Sequence, residues 1–412
     1  MNLQPRNQRN HHCTIIFGSN SCLPKLSPTA GKFPRLWRTV RKQFLVSEFY
    51  DDAKYHFKST AAIFSERRRH LTYPSYIIHP FSTFAYYREC VMFFIWFVKF
   101  VISPLNISFP EVRETEQRSK ITSTAFEWHN LPLLVLSCYL VDTVLLVNGG
   151  LYFVSGYHEF RTKETVLSPK QIAIRYLKTY FVWDLIGSFP AECFVMQKNQ
   201  FHFGPTVFIV LKHSCLLPRM RTMFQYFRNI TVCLKIGDAM HEVVCVILIS
   251  FFLMHYCSCI AYMSYAFSER SNLSWIALAK LERRSVGLKY AWSMYTAMVH
   301  FYRSGPGTFQ SESLADNFIL SLVMILGSVY FSYVVVIILQ AIGTANASVI
   351  KYEQLMQQLY DYMRCKSIPT HINLRLRKYY ENRFQKRYFR EQAILATLSE
   401  HLRHEIKFYT CR

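Results

Sequence analysis

Two long stretches of the chain carry no Lys, Arg, Asp or Glu: Val243–Phe267 and Asn317–Ile350. A helix crosses a bilayer with roughly 20 consecutive apolar residues, and both stretches reach that length. The core of the second is Phe318–Gly343. Three weaker apolar segments hold ionisable residues inside them. These are Val91–Ser108 (with Lys99), Leu131–Val147 (with Asp142) and Tyr180–Gln197 (with Asp184 and Glu192). A sixth segment, Phe201–Cys233, is apolar at first and basic later. Read together, they predict an all-α membrane protein with six transmembrane helices. A weak segment taken alone also fits a buried helix of a soluble core. The pattern divides the chain into a cytoplasmic N-terminal region (1–75), a four-helix domain (76–232), a two-span domain (233–345) and a helical cytoplasmic linker (346–412).

Charge sharpens this picture. The chain has 48 Lys and Arg against 26 Asp and Glu, a net +22, with 51% apolar residues. Such a basic balance suggests a nucleic-acid binder, but the apolar share excludes a disordered polybasic chain. The basic residues sit beside the apolar segments. Residues 1–88 hold fourteen against four acidic ones, and residues 349–412 hold thirteen against six. The loop between the second and third segments carries Arg161, Lys163, Lys170, Arg175 and Lys178. Positive residues mark the cytoplasmic side, so both termini and this loop are expected there. Six spans require the same. No nucleic-acid motif accompanies the charge, so no nucleic-acid partner is expected. The expected setting is multi-pass in the plasma membrane, in contact with lipids.

Catalytic and metal patterns are weak. The first thirty residues lack the apolar core of a signal peptide. The twelve Cys show no framework spacing, and those inside apolar segments are expected as thiols. His255, Cys257 and Cys259 look like a metal cluster, but 257 leaves the face that 255 and 259 share on a helix. His241-Glu242 lacks the second His of a zinc protease motif. No P-loop, nucleophile elbow or dinucleotide fingerprint is present, so the chain is read as a non-enzyme without a metal.

The segment between the two strong spans has an informative order. A polar stretch, Ser268–Ser285, precedes a short amphipathic helix over Gly287–Tyr302, and then Ser304-Gly305-Pro306-Gly307 forms a Gly-rich turn. A helix, an extended Gly-rich return and a following span together form the layout of a re-entrant cation pore loop. An ordinary surface turn has the same composition. In the sixth segment, Lys212 and Arg221 lie nine residues apart, with Cys215 and Pro218 at the intervening third positions. Arg219 and Arg228 add charge off that register. The segment reads either as a voltage sensor that has lost most of its charges or as a basic juxtamembrane helix.

Several motifs in order resemble the hyperpolarization-activated cyclic-nucleotide-gated cation channels, from about residue 75 onward. Ile77-Ile-His-Pro-Phe-Ser-Thr-Phe84 resembles I-I-H-P-Y-S-x-F before the first span. Tyr176-Leu-Lys-Thr-Tyr-Phe-Val-Trp-Asp184 resembles Y-L-K-S-W-F-V-V-D, and Ser188-Phe-Pro190 follows for S-I-P. His255-Tyr-x-x-Cys259 resembles H-W-x-x-C, Asn272-Leu-Ser-Trp275 the glycosylated N-x-S-W, and Tyr379-Tyr-Glu-x-Arg383-Phe the linker's Y-Y-E-x-R-Y. The resemblance implies a fourfold tetramer, homomeric or mixed with related subunits, that passes potassium and sodium. It implies sensor charges at Lys212, Arg219 and Arg221, with counter-charges at Asp142 and Asp184. Sequons at Asn272 and Asn106 fall on the expected outer side.

The chain departs from the family where function concentrates. The family filter C-I-G-Y-G is matched by Arg303, Ser304, Gly305, Pro306 and Gly307. Arg303 would place positive charge on a cation path, and Pro306 removes an amide donor and an aromatic brace. Thinned sensor charge predicts shallow voltage dependence. A non-conducting or regulatory subunit is therefore a second expectation. The sequence stops at Arg412, where the family continues into a nucleotide-binding domain, so no cofactor is expected for residues 1–412.

Overall fold

The computed structural model describes residues 23, 31–47, 53, 56–57, 59–109, 133–159, 162, 164–189, 203–267, 272–282, 284–305 and 312–410. They are mostly helical and divide into two compact units. One comprises Met1–Ile236 with Ile249–Val323, the other Gly237–Leu248 with Met324–Arg412.

The first unit starts with α1 (Lys32–Phe44) and α2 (Thr60–Leu71), followed by the long α3 (Thr83–Ser108). Ser59 and Ser82 cap α2 and α3, accepting from the Ala62 and Ala85 amides. Such caps satisfy donors left open at a helix start. Capping at Ser82 begins α3 eight residues before the expected apolar edge at Val91. Then come α4 (Leu133–Tyr152) and a hairpin of β1 (Tyr157–Glu159) and β2 (Glu164–Val166), paired Tyr157↔Val166 through Glu159↔Glu164. This hairpin corrects the all-α expectation. Its three-residue strands are too short for an alternating pattern to stand out in sequence.

Two helix breaks shape this part of the chain, one at the first residue of the Tyr180–Gln197 segment and one inside the Phe201–Cys233 segment. Helices α5 (Pro169–Thr179) and α6 (Phe181–Ser188) meet at Tyr180, whose φ of −126° leaves the helical range. The remainder of the expected third span, 190–197, lies outside the described residues. Helix α7 (Phe203–Leu216) ends one turn before α8 (Arg219–Cys233). Pro218 has no amide to continue the ladder of α7, and it stands at the N-cap of α8. The segment expected as one span over Phe201–Cys233 is thereby corrected to two helices. Helix α3 packs on α4, α7 and α8, while α6 packs on α4 and α7. A β-carbon on Gly187 would collide with Leu216, so the α6–α7 approach requires glycine there.

Helix α9 (Asp238–Phe267) precedes α10 (Trp275–Leu278), α11 (Val286–Tyr302) and α12 (Leu314–Ala345). Phe109, Tyr262, Tyr265, Trp275, Ile276 and Leu281 form a buried cluster in the first unit. The second unit continues through α13 (Ala347–Cys365), α14 (Thr370–Phe384), α15 (Glu391–Ala396) and α16 (Glu400–Thr410). There α13 packs on α14, the Tyr388 amide donates to Ser348 O at 3.0 Å, and the Tyr330 hydroxyl donates to Val246 O at 3.0 Å.

Among the described residues, three helices are long and apolar enough to cross a membrane: Thr83–Ser108, Asp238–Tyr265 and Leu314–Thr344. Leu136–Tyr152 is a shorter apolar helix. The surface of α12 is apolar on several sides, with Phe318, Ile325, Val329, Val336 and Leu339 all exposed. A helix apolar all round belongs in lipid or a large core.

Candidate functional site

Helices α3, α4, α6, α7 and α8 bring five ionisable side chains into two buried groups. In the first, Asp142 of α4 accepts from Lys212 Nζ of α7 at 2.6 Å and from Lys99 Nζ of α3. All three side chains are almost fully buried. In the second, Asp184 of α6 receives a forked pair from Arg219 of α8. Nε donates to Oδ1 at 2.7 Å, and Nη2 donates to Oδ2. The Tyr176 hydroxyl donates to the same Oδ2 at 2.8 Å. The guanidinium lies 4.1 Å from the Tyr180 ring centroid and 4.9 Å from that of Tyr152. Charges taken out of water are tolerated only when paired and hydrogen-bonded, and each carboxylate meets that condition.

The sequence singles out Asp142, Asp184, Lys212, Arg219 and Arg221. Four of them join these two groups, whereas Arg221 is exposed. Arg219 lies off the three-residue register, yet it is the arginine that reaches a carboxylate. The break at Pro218 starts a new helix, so the register of α7 does not extend to it. Sequence reasoning noted Lys99 only as a charge inside an apolar segment. Its position in the middle of an apolar run was the available signal that it needs a partner.

The turn after α11 is built from its own backbone. Arg303 caps α11 in the left-handed region (φ 52°), donating to Val299 O. The Ser304 amide also donates to Val299 O, at 3.1 Å, and Gly305 has φ 140°, which only glycine adopts without strain. Arg303, Ser304 and Gly305 are exposed. Pro306 and Gly307 lie outside the described residues. Behind α11, Tyr290 Oη meets His255 Nδ1 at 2.9 Å, and His255 Nε2 meets Val101 O at 2.9 Å. His255 is thus a bridge between α3, α9 and α11. Among the described residues no group of three His, Cys, Asp or Glu could hold a metal. The start of α12 holds the start of α10: Asp316 Oδ2 accepts from Ser274 Oγ at 2.7 Å and from the Trp275 amide at 3.2 Å.

Asn272 is exposed beside this cap. Asn106 is corrected as a glycan site: it is 2% exposed within α3, its Nδ2 directed at Cys138 Sγ, 3.8 Å away. A glycan needs its amide nitrogen at the surface. The sequon marks the residue type but not the helix face it occupies.

A further polar group joins α2, the segment before α3 and β2, and the sequence did not reveal it. Glu66 accepts from Arg69 Nη2 at 2.7 Å, from His79 Nε2 at 3.1 Å and from the Thr165 hydroxyl. Burial, the largest single influence, opposes the Glu66 charge. The three donors together outweigh it and hold its pKa down at about 2. Burial pushes His79 below its ordinary value and His70 down to about 4. Neutral His79 fits its contacts, since Nε2 donates to Glu66 while Nδ1 accepts from the Phe81 amide at 3.1 Å.

No family model matches the chain. Among curated proteins it is 25% identical over 372 residues to potassium/sodium hyperpolarization-activated cyclic nucleotide-gated channel 3 of Rattus norvegicus. That match covers 86% of this chain and 46% of the relative. Channel 1 of Rattus norvegicus is 25% identical over 370 residues, covering 86% and 39%. Channel 4 of Oryctolagus cuniculus is 24% identical over 371 residues, covering 86% and 30%. The chain spans less than half the length of these relatives. Similar over most of its own length at about one residue in four, it stands in a distant relationship to the hyperpolarization-activated cyclic nucleotide-gated channels.

Proposed function

We propose that the chain is a subunit of a tetrameric monovalent cation channel of the hyperpolarization-activated type, passing potassium and sodium with weakened voltage sensing. In this reading six spans and a re-entrant loop cross the plasma membrane, with both termini cytoplasmic. The observation that carries it is the buried pairing of Lys212 and Arg219 with Asp142 and Asp184. Basic side chains on successive helical segments, each docked on a carboxylate of a neighbouring helix, suit charge that changes partners as a field changes. One elementary charge crossing the membrane field is worth about 2.3 kcal/mol per 100 mV. Two such charges per subunit supply about 5 kcal/mol per 100 mV, and Cys215 and Pro218 contribute none. The voltage response is accordingly shallow.

A second reading, a non-conducting or regulatory subunit that co-assembles with a longer relative, is favoured by Arg303 at the exposed end of α11. Four such guanidiniums around one axis oppose cation entry. Whole-cell recording under hyperpolarization separates the two, comparing the native chain with one carrying Arg303→Cys, Ser304→Ile and Pro306→Tyr together. The channel reading expects inward potassium and sodium current from the native chain. Current only after the repair, with native chain co-purifying with a full-length relative, selects the regulatory reading. Silence of both forms at the cell surface, without co-assembly, rejects both.

A further inference from the structure

Helix α1 has two faces of different chemistry. Phe33, Leu36, Trp37, Val40 and Phe44 recur at the three- and four-residue steps that align on one side of a helix. Lys32, Arg35, Arg38, Arg41 and Lys42 occupy the rest of its circumference, and its 13 residues include no Asp or Glu. No residue of α1 is buried. The apolar side is open over its first two turns, with Phe33 77%, Leu36 64% and Trp37 45% exposed, while Val40 and Phe44 are half-buried. In water such a ridge is unfavourable, because apolar surface is left uncovered.

The far end of α1 is tied to the beginning of α3. The Thr83 hydroxyl donates to Gln43 O at 3.2 Å, and the His79 amide donates to Phe44 O at 3.1 Å. The Phe44 and Phe84 rings meet edge to face at 5.0 Å, and Val46 bridges Ser82. Helix α3 has 26 residues, about 39 Å at 1.5 Å per residue. The hydrocarbon core is about 30 Å thick, so the first turn of α3 stands in the headgroup layer when α3 spans. The ties therefore hold α1 at that layer.

We propose that α1 is an interfacial helix whose occupant is an anionic lipid surface. Its Phe33–Leu36–Trp37 ridge enters the headgroup–acyl boundary, and its basic side chains meet lipid phosphates. The combination of an aromatic and aliphatic ridge with a Lys/Arg face is the composition of helices that lie in the membrane plane. Charge complementarity selects anionic over zwitterionic lipid, each basic side chain near such a surface adding about fivefold in occupancy. The proposal depends on α3 spanning the membrane and is independent of conduction.

The test uses the full chain in vesicles and isolates Trp37 emission as the difference between native protein and Trp37→Phe. Lipids brominated near the headgroup serve as quenchers from the membrane, and iodide serves from water. The expected result is strong bromolipid quenching of Trp37 in vesicles rich in phosphatidylserine. That quenching falls several-fold in pure phosphatidylcholine, in high salt, and on combining Arg35→Gln, Arg38→Gln and Lys42→Gln. Trp37 shielded from iodide yet insensitive to bromolipid would mean that protein covers the ridge, overturning the proposal. Trp37 open to iodide in both lipids overturns it too. Equal bromolipid quenching in both lipids overturns the choice of an anionic surface.

Discussion

At the scale of single residues, the buried carboxylates dominate. Asp142 stands between two lysines, so Asp142→Asn leaves Lys99 and Lys212 facing a neutral amide in a dry site. Removing one partner of a buried ion pair typically costs about 3–5 kcal/mol. We expect a matching fall in thermal stability of the detergent-solubilised protein. Arg221→Gln, at an exposed position, should change it by no more than about 0.5 kcal/mol. A second residue-scale effect concerns acid. The fold holds His70 neutral, with Nε2 donating to Ile77 O at 3.0 Å and a buried Nδ1 that has no hydrogen-bond partner among the described residues. Its pKa falls from 6.5 to about 4 on folding, so protons favour the unfolded form. The contribution of His70 is whole above pH 6.5, declines as pH falls through 6.5 to 4, and levels off below. At about 1.4 kcal/mol per unit, the decline amounts to about 3 kcal/mol. His79 acts in the same direction. Glu66 loses its share only in stronger acid, as pH falls from 4.5 towards 2. Melting temperatures measured from pH 7 to 4 should drop less steeply in His70→Gln, which keeps a donor for Ile77 but cannot titrate in that window.

At the scale of elements, the ends of helices carry the architecture. Asp316, in the first turn of α12, caps the four-residue α10, whose own Ser274 side chain makes no cap. A helix this short has almost no internal stabilisation, so its placement rests on that cap and on the Trp275 cluster. Asp316→Ala strands the Trp275 amide and the Ser274 hydroxyl in a buried site, at about 1–3 kcal/mol for each unsatisfied group. Asp316→Asn keeps an acceptor and should retain most of the protection. Hydrogen exchange over residues 274–278 reads the difference, the alanine form exchanging at least tenfold faster than the asparagine form. The breaks at Tyr180 and Pro218 also belong to this scale. Pro218 was visible in the sequence as an obstacle to a continuous helix. Tyr180 carries no helix-breaking chemistry, so the α5–α6 break could not be read from residue type.

At the scale of the whole chain, the orientation in the membrane is the property that the expected spans and the basic flanks jointly propose. Asn272 is exposed and precedes α10, whereas Asn229 sits in α8 with Nδ2 donating to Glu89 Oε2 at 2.9 Å. The proposed topology puts the first outside and the second inside. A glycosidase mobility shift should vanish in Asn272→Gln and persist in Asn229→Gln, and the reverse pattern would sink that topology.

Local composition was enough to locate the long apolar helices, the short helix before the Gly-rich turn and the helical linker. These follow from charge-free runs and periodicity over neighbouring residues, which any part of the chain displays without the rest. The choice of partners lay beyond that reach. Lys99 and Asp142 are 43 residues apart, and Glu66 and Thr165 are 99 apart. No periodic pattern encodes such pairings, because they depend on which helix faces meet once the chain has packed. Burial of Asn106 and the open ridge of α1 have the same origin. A residue's type states what contacts it can make, and the packing of distant segments decides whether it makes them.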